Sequence, residues 1–407
     1  MKKHKPADSI QDIQYFGEYG GVNPSIADSS TFTYMAGKTM EEVFGGEREG
    51  CYLYSRHMNP STGYLAEVIA NMENTEAAQV AASGMGAITS VLLQICCAGD
   101  HIVSSRTIYG GTYAFMKNFL PKLTISTSFI NTTDLEAIES AITPNTKLIY
   151  CETMSNPLLE IADIKAIAEL AKKYKLKLVV DNTFTPLIFS PKELGADVVI
   201  HSLTKFINGA SDTVGGVICA DAEFIHQLID VNNGASMLLG PTMDALRANS
   251  ILKNVRTLHV RMKQHSKNAQ YLAEKFQSLG LKVFYPGLPN HPQHDLMKAS
   301  INEEFGFGGM LMIDVGDMRK AYQLMESMQN NNIGYLAVSL GFYKTLFSAP
   351  GASTSSEIPE DEQATMGLSE GMVRMSIGLD NDIERTFQKI KSCMQETGIL
   401  QEQLNTL

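Results

Sequence analysis

Two short stretches, Lys177-Leu178-Val179-Val180-Asp181 and Asp197-Val198-Val199-Ile200-His201, decide the fold class of this chain. Each is a mostly apolar, β-branched run with the length of a buried strand. Working outward from them, similar runs predict further strands at 79–82, 101–104, 125–130, 147–151 and 216–219. Helical patterns at 87–97, 134–142 and 161–174 lie between these strands. Such alternation predicts an α/β fold with a mostly parallel sheet that is covered by helices.

The pattern changes after Gly240. Residues 241–281 read as long helices rich in Lys, Arg and Asn, and a strand at 308–315 and a helix at 318–330 follow. A last strand and helix are predicted at 373–378 and 383–397, and the stretch 351–371, rich in Ser, Glu and Gly, is predicted to be a loop or lid. These elements predict a smaller C-terminal α/β domain.

The predicted domain organisation has three parts. Residues 1–60 have weak periodicity, and we expect an extended arm that contacts a neighbouring subunit. Residues 61–250 form the large domain and residues 251–407 the C-terminal domain. A chain of 407 residues is too long for one average domain, which agrees with this division.

Composition excludes several function classes. The net charge of −11 argues against nucleic acid as a partner. No apolar run is long enough to span a bilayer, and the basic start has no apolar segment after it, so we expect a cytoplasmic protein without a membrane partner. The six cysteines are scattered without a Cys-x-x-Cys pair, and hence no metal site is expected.

The first residue with catalytic potential is Lys205, in His201-Ser202-Leu203-Thr204-Lys205 at the end of a β-rich run. A buried lysine has a lowered pKa and can act as a nucleophilic amine, as Schiff-base chemistry requires. The hydroxyls of Ser202 and Thr204 suit a phosphate group. Taken alone, a lysine after a strand is usually a solvated surface charge.

Asp181 is the second such residue, because it ends the strand that runs from Lys177. Open α/β sheets bind ligands at the carboxyl ends of their strands. A carboxylate there can pair with a pyridinium nitrogen and keep it protonated. A helix cap or a turn is the ordinary alternative for such an aspartate.

The third element is Ser83-Gly84-Met85-Gly86-Ala87, between a predicted strand and an apolar helix. Small residues at a helix start leave backbone N–H groups available for an anion. A nicotinamide-binding Gly-x-Gly-x-x-Gly motif is the rival interpretation, but Thr89 stands where its third glycine should be.

These elements occur in an order that resembles the cystathionine γ-synthase family of fold type I pyridoxal phosphate enzymes, and within it most closely the methionine γ-lyase subgroup. The resemblance covers nearly the whole chain. The matching stretches are Tyr54-Ser55-Arg56 with Asn59-Pro60, Ser83-Gly84-Met85-Gly86-Ala87-Ile88, Tyr109-Gly110-Gly111-Thr112, Glu152-Thr153 with Asn156-Pro157, Asp181-Asn182-Thr183-Phe184, His201-Ser202-Leu203-Thr204-Lys205, Ser339-Leu340-Gly341 and Val373-Arg374.

The resemblance implies that pyridoxal 5'-phosphate is the cofactor and that residues 61–250 bind it. Lys205 is expected to hold the cofactor and move protons, Asp181 to bind its pyridine nitrogen, and Tyr109 to stack on its ring and take part in proton transfer. The other expected cofactor contacts are Ser83, Gly84, Met85, Asn156, Ser202 and Thr204, together with Tyr54 and Arg56 from a neighbouring subunit. A homotetramer built from dimers with shared active sites is therefore expected.

Substrate recognition is expected to involve Asn156, Ser339, Arg374 and Tyr54. Members of the family that handle cystathionine resemble one another in placing charged residues at three positions that are Leu53, Ala114 and Val338 here. Apolar side chains at these positions do not compensate a distal charge and suit a methyl thioether. Gly111 stands where many bacterial methionine γ-lyases carry a cysteine, which points to a relaxed specificity.

The resulting functional hypothesis is α,γ-elimination of L-methionine to methanethiol, 2-oxobutanoate and ammonia. The alternatives are γ-replacement on O-acetylhomoserine, as in a sulfhydrylase, and a cystathionine γ-lyase or γ-synthase reaction. A pyridoxal phosphate-binding protein without catalysis is the alternative from another class.

Overall fold

The computed structural model describes residues 4–15, 20–45, 50–351, 363 and 366–400. Among them are fourteen α-helices, which we number in chain order. Their bounds are α1 Pro6–Asp12, α2 Gly37–Phe44, α3 Pro60–Glu73, α4 Gly84–Ile95, α5 Gly110–Ala114, α6 Leu135–Ala141, α7 Ile164–Tyr174, α8 Ala222–Leu228, α9 Ala235–Leu239, α10 Ala245–Val255, α11 Leu258–Ser278, α12 His294–Ser300, α13 Met318–Asn330 and α14 Ile383–Glu396.

A seven-stranded sheet forms the centre of the large domain, with the strand order β1-β7-β6-β5-β4-β2-β3. Its strands are β1 Ala77–Ala81, β2 His101–Ser105, β3 Ser126–Ile130, β4 Thr146–Glu152, β5 Lys177–Asp181, β6 Val198–Ser202 and β7 Gly216–Ala220. The pairs from β6 across to β3 are parallel, and β7 is antiparallel to both of its neighbours. The prediction of a mostly parallel sheet flanked by helices is therefore confirmed.

Burial explains why the apolar runs became strands. Every residue of β2 and β7 is buried, and β4 and β5 each have one residue that is not. Helices α3, α4 and α7 pack against these strands. On α7 the buried residues are Ile164, Ile167 and Ala171, at helical spacing. Strands covered by helices read as continuous apolar runs, which is why sequence alone revealed them.

The second domain contains a five-stranded sheet in the order β10-β11-β12-β9-β8. The sequence predicted only two of its strands, which the structure places at β9 Met310–Asp314 and β12 Met372–Ser376. The three missed strands are only three or four residues long, too short for a clear pattern, and are β8 Lys282–Phe284, β10 Gly334–Leu336 and β11 Thr345–Ser348. Helices α11, α13 and α14 contribute buried side chains to the core of this domain.

The N-terminal segment differs from the extended arm that the sequence predicted, because it contains α1 and α2. Proline stands at the start of α1, a position where its missing N–H costs no helical hydrogen bond. Ile10 of α1 is buried in the core of the large domain, and Tyr15 packs its ring on Tyr64 of α3. Part of this segment therefore packs on its own chain, and its contact with a neighbouring subunit stays a prediction.

Capping residues explain most differences between predicted and observed helix ends. Asp163 accepts a hydrogen bond from the backbone N–H of Ala166, so α7 begins at Ile164 rather than at position 161. Ser83 caps α4 in the same way, and this helix begins at Gly84 rather than at position 87. Most of the predicted lid at 351–371 lies outside the described residues, and the domain bounds 61–250 and 251–407 stay predictions.

No helix in the described part of the chain combines the length and the apolar character that crossing a bilayer requires.

Candidate active site

The carboxyl ends of neighbouring strands bring the predicted site residues to one edge of the large sheet. β5 ends at Asp181 and the adjacent β6 ends at Ser202, three residues before Lys205. A cavity of about 430 Å³ lies at this edge. It is lined by Ser83, Gly84, Met85, Ile88, Tyr109, Glu152, Met154, Asn156, Asp181, Thr183, Phe184, Ser202, Thr204, Lys205, Val214, Val338, Ser339, Leu340 and Arg374.

Lys205 reaches across the cavity to the second domain. Its Nζ donates a hydrogen bond to Ser339 Oγ at 3.3 Å. Burial and, to a smaller extent, the positive charge of Arg374 together lower the pKa of the Lys205 amine to about 8. About a tenth of the amine is therefore unprotonated at pH 7, far more than for an ordinary lysine, and it is the unprotonated amine that attacks an aldehyde.

Asp181 is buried and held by two hydrogen bonds. The backbone N–H of Thr183 donates to Oδ1 at 2.9 Å, and the Tyr150 hydroxyl donates to Oδ2 at 3.4 Å. Burial raises the pKa of the Asp181 carboxyl, while the hydrogen bonds from Thr183 and the charge of His201 oppose that rise. A carboxyl in this setting is fixed in orientation and suited to pair with a buried cation.

A polar cluster supports Asp181 from inside the domain. His201 Nε2 lies 2.7 Å from Glu73 Oε1 of α3, and both side chains are almost completely buried. Asn182 also donates to Glu73 Oε1, at 3.1 Å, and its Oδ1 accepts from the Thr185 hydroxyl. These contacts place His201 in a buried hydrogen-bonded cluster with Glu73 and Asn182.

The start of α4, where the sequence predicted an anion site, lies at the cavity wall. Ser83 Oγ accepts from the backbone N–H of Gly86 at 2.9 Å. The first N–H groups of a helix have no acceptor within it, and those of Gly84 and Met85 begin α4 at the cavity wall. A Cβ atom on Gly84 would come within 2.8 Å of Ser202 Cβ, so only glycine lets the helix start approach Ser202 this closely.

Thr204 lies on the same side of the cavity. Its hydroxyl oxygen accepts from the backbone N–H of Gly215 at 3.0 Å, and the hydroxyl donates to the carbonyl of Gly215 at 3.3 Å. The longer bond is the weaker one, so the hydroxyl can turn its proton towards an anion while keeping the contact with Gly215.

Arg374, Asn156 and Ser339 meet on the opposite side. Arg374 Nη1 donates to Asn156 Oδ1 at 3.1 Å, and Nη2 donates to the carbonyl of Ser339 at 3.4 Å. Burial lowers the pKa of the Arg374 guanidinium to about 10, which still leaves it charged at neutral pH. A buried guanidinium without a carboxylate among these partners is suited to bind one from a substrate.

Tyr109 covers the cavity from its open side, with 44% of its surface exposed. Its backbone N–H donates to Glu152 Oε1 at 2.8 Å, and the N–H of Asn156 donates to Oε2 of the same carboxyl at 3.0 Å. Burial and the charge of Asp181 raise the pKa of Glu152 well above its usual range. Sequence reasoning assigned Glu152 no role, although it ends β4 as Asp181 ends β5.

Five predicted site residues do not line this cavity in the single chain: Leu53, Tyr54, Arg56, Gly111 and Ala114. Arg56 is exposed, and its Nη1 donates to the carbonyl of Met237 at 2.8 Å. Gly111 lies beside the ring of Tyr109, where an added Cβ would come within 2.6 Å of Cε1. The roles of these five residues stay predictions.

Several residues of the cavity wall were missed by sequence reasoning. They are mostly apolar: Ile88, Met154, Phe184, Val214 and Leu340. Thr183 also lines the wall, and its Oγ1 accepts from the backbone N–H of Ser202 at 2.8 Å, which ties β6 to the segment after β5. Thr183 could have been found from the sequence, because it directly follows the Asp181-Asn182 pair. No local sequence pattern marks an apolar residue as part of a cavity.

The residues around the cavity fit pyridoxal phosphate. A buried amine with a lowered pKa, a buried carboxyl and a helix start are present at one sheet edge, and these suit an aldehyde, a pyridine nitrogen and a phosphate respectively. The fold and this site define the class of the protein as a fold type I pyridoxal phosphate-dependent enzyme.

Comparison with known proteins gives the family. The chain belongs to the Cys/Met metabolism PLP-dependent enzyme family, whose model matches residues 10–392. It is 44% identical to the methionine gamma-lyase of Arabidopsis thaliana over 393 residues, which cover 95% of this chain and 89% of that protein. The predicted carbon–sulfur lyase class is confirmed.

Solved structures agree with this family. The cystathionine gamma synthase of Xanthomonas oryzae pv. oryzae, in complex with aminoacrylate and cysteine, matches with a TM-score of 0.88 and 32% identity, over 97% of this chain and 98% of that one. A solved chain from Campylobacter jejuni subsp. jejuni matches with a TM-score of 0.89 and 26% identity, over 96% and 100% respectively. That structure contains N'-pyridoxyl-lysine-5'-monophosphate, a lysine joined to the cofactor.

Proposed function

We propose that this enzyme catalyses the α,γ-elimination of L-methionine to methanethiol, 2-oxobutanoate and ammonia. The observation that carries the proposal is the distribution of charge around the cavity. Among the described residues that line it, the acidic and basic side chains are Glu152, Asp181, Lys205 and Arg374. The rest of the lining is hydroxyl-bearing, amide-bearing or apolar.

Each of the four charged groups has a proposed task, which leaves none for a second charged end of the substrate. Lys205 holds the cofactor, Asp181 its nitrogen, and Arg374 the substrate carboxylate. Both oxygens of Glu152 already accept backbone hydrogen bonds. A distal ammonium or carboxylate, as in cystathionine, would find no partner of opposite charge among these side chains and would lose part of its hydration in the cavity. The uncharged methyl thioether of methionine carries no such cost.

Pyridoxal phosphate supplies an electron sink that withdraws charge from the substrate carbons when it is bound. In this proposal Asp181 binds its nitrogen, and the phosphate is held by the N–H groups at the start of α4 with the hydroxyls of Ser202 and Thr204. Asn156 and Ser339 orient Arg374 so that its fork binds the substrate carboxylate in two places.

Lys205 and Tyr109 move the protons. The freed amine of Lys205 takes the proton from the substrate Cα, since its lowered pKa makes it a base near neutral pH. Loss of a second proton, from Cβ, breaks the Cγ–S bond, and Tyr109, at the open side of the cavity, donates a proton to the departing methanethiolate. Water then releases 2-oxobutanoate and ammonia. Both residues are proposed to act on the substrate, and neither role requires any other charged group of the lining.

A product screen tests the proposed substrate. Purified holoenzyme is incubated with methionine, cystathionine, homocysteine or O-acetylhomoserine, each with and without sulfide, and thiol, 2-oxobutanoate and homocysteine are measured. We expect methanethiol and 2-oxobutanoate in equal amounts from methionine. Faster cleavage of cystathionine would overturn the charge argument, and homocysteine formed from O-acetylhomoserine and sulfide as the main product would indicate γ-replacement.

We also propose a homotetramer with active sites shared between subunits, working in the cytoplasm. Tyr54 and Arg56 lie outside the cavity of their own chain, which supports a role at a neighbouring one. Exposed large apolar side chains occur on the same N-terminal segment, namely Val22, Met35, Met40, Phe44 and Met58. Light scattering measures the assembly, and mixing inactive Arg56→Ala and Lys205→Ala subunits should restore activity if sites are shared.

A further inference from the structure

The Glu152 carboxyl connects two segments of the active site that are far apart in the sequence, the one at Tyr109 and the one at Asn156. It is the last residue of β4, it is 8% exposed, and it lines the cavity. One carboxyl oxygen accepts from the N–H of Tyr109, the residue just before α5, and the other accepts from the N–H of Asn156. One carboxylate therefore contacts the backbone of a residue on each side of the substrate position.

The bonding pattern indicates why a carboxylate is needed there. Both oxygens act as acceptors at 2.8 and 3.0 Å, so an ionised carboxyl satisfies both N–H groups at once. Hydrogen bonds to an ionised acceptor are about twice as strong as neutral ones. A glutamine has one acceptor oxygen and one donor nitrogen, so one N–H group would face another donor.

The position beside Asp181 makes this arrangement costly to maintain. Glu152 and Asp181 are register partners on adjacent parallel strands, and both are buried. Burial and the charge of Asp181 raise the pKa of Glu152, and the two backbone hydrogen bonds oppose that rise. A buried acid next to another acid requires compensating hydrogen bonds, and for Glu152 they come from Tyr109 and Asn156.

We propose that Glu152 is a positioning residue that aligns Tyr109 and Asn156 for the reaction by accepting a hydrogen bond from the backbone N–H of each. It acts through Tyr109, which is proposed to donate a proton, and through Asn156, which contacts Arg374 at 3.1 Å. The inference deepens the proposed function, because it relies on the roles proposed there for Tyr109 and Arg374.

The variant Glu152→Gln in the holoenzyme tests this inference. We expect kcat to fall by about 10- to 100-fold, as for loss of a positioned acid–base group, and KM to rise several-fold through Asn156 and Arg374. The visible circular dichroism of the bound cofactor should change, because the ring of Tyr109 shifts. Dichroism is recorded without substrate, and kinetics use whichever amino acid the product screen identifies, so neither measurement depends on methionine being the substrate.

Glu160→Gln is the matched control. Glu160 lies on the same segment, and its Oε2 accepts from the Thr107 hydroxyl at 2.9 Å, whereas the Glu152 carboxyl accepts from Tyr109 and Asn156. The Glu160→Gln substitution removes one carboxylate from the same region, and we expect its kcat and its visible dichroism to stay within about twofold of those of the parent enzyme. An equal loss of kcat in Glu152→Gln and Glu160→Gln would mean that a general disturbance of the segment causes the effect, and this would overturn the proposal.

A double variant shows whether Glu152 acts through Tyr109. Tyr109→Phe removes the hydroxyl and keeps the ring and the backbone N–H. If Glu152 positions that hydroxyl, adding Glu152→Gln to Tyr109→Phe should lower kcat by much less than it does in the parent enzyme. Fully multiplicative losses in kcat would contradict the inference.

Glu152→Asp covers the case in which Glu152→Gln does not fold. It keeps the charge but withdraws the carboxyl by one methylene, so it cannot reach both N–H groups. We expect a change in dichroism and a loss of kcat in the same direction. A Glu152→Asp enzyme with parental kcat and dichroism would overturn the proposal.

Discussion

Two parts of the cavity differ in how they are built: the part proposed to hold the cofactor, here called the cofactor side, and the part proposed to face the side chain of the substrate, here called the side-chain side. On the cofactor side, Asp181 and Glu152 are buried and each accepts at least two hydrogen bonds, and Lys205 is mostly buried. On the other side, Val338 and Val214 are 64% and 60% exposed, and their side chains have no hydrogen-bonding group. In the proposed function the buried ionisable groups carry out the chemistry, and the open wall without charged side chains favours a substrate with an uncharged end.

The largest effect should follow from Lys205→Ala, which removes the central group of the cofactor side. We expect kcat to fall by about 10⁴-fold or more, because both the covalent hold on the cofactor and the base that removes the Cα proton are lost. The visible absorbance of the lysine-bound cofactor should disappear as well. Turnover and absorbance are measured on the same preparation, and retained turnover with methionine would refute the role of Lys205.

Arg374→Ala should have the second largest effect, since Arg374 is proposed to bind the substrate carboxylate. Loss of a buried charge-assisted contact with the substrate carboxylate corresponds to roughly 3 kcal/mol, or about a 100-fold rise in KM. Arg374→Lys keeps the charge without the planar fork, and we expect an intermediate KM. Steady-state kinetics measure both, and an unchanged KM in Arg374→Ala would exclude this residue from carboxylate binding.

The cofactor side could be predicted from sequence because its residues follow buried strands. Asp181 ends β5, and Lys205 follows the end of the adjacent β6, so parallel strand order alone brings them to one edge. The same reasoning applied to Glu152 at the end of β4 would have identified it. Its hydrogen-bond partners, however, are backbone N–H groups, which leave no mark in the sequence.

The side-chain side could not be predicted in the same way. The sequence suggested four specificity positions, namely Leu53, Gly111, Ala114 and Val338. Of these, only Val338 lines the cavity of the described chain. The apolar residues Ile88, Met154 and Leu340 line it through tertiary packing, which has no local signature. Short strands such as β8 and β10 were missed for a related reason, since three residues carry too little periodicity.

A smaller effect is expected in the pH dependence of the rate at which the cofactor attaches to Lys205. The pKa of Lys205 is lowered to about 8, so below pH 8 the free amine, and with it the rate of attachment to the apoenzyme, should rise about tenfold per pH unit. Above pH 8 the rate should level off, whereas an ordinary lysine would continue to gain up to its usual pKa. Absorbance recorded from pH 6 to 10, with Nα-acetyl-lysine as the control, measures the midpoint, and a midpoint near that of the free amino acid would contradict the burial argument.

The smallest expected effect is that of Val338→Glu, which adds a charge to the wall that has none. Val338 is 64% exposed, so a glutamate fits there with little cost in folding and can face the distal ammonium of cystathionine. An exposed ion pair contributes about 0.2–1 kcal/mol, so kcat/KM for cystathionine relative to methionine should rise by about 1.5- to 5-fold.

Val338→Gln has the same size without the charge and should leave the ratio near that of the parent enzyme. High salt should reduce the gain in Val338→Glu, because exposed charges are screened. A gain of equal size in both variants would mean that shape rather than charge sets the preference, and selectivity would then have to be sought among the apolar side chains of the same wall.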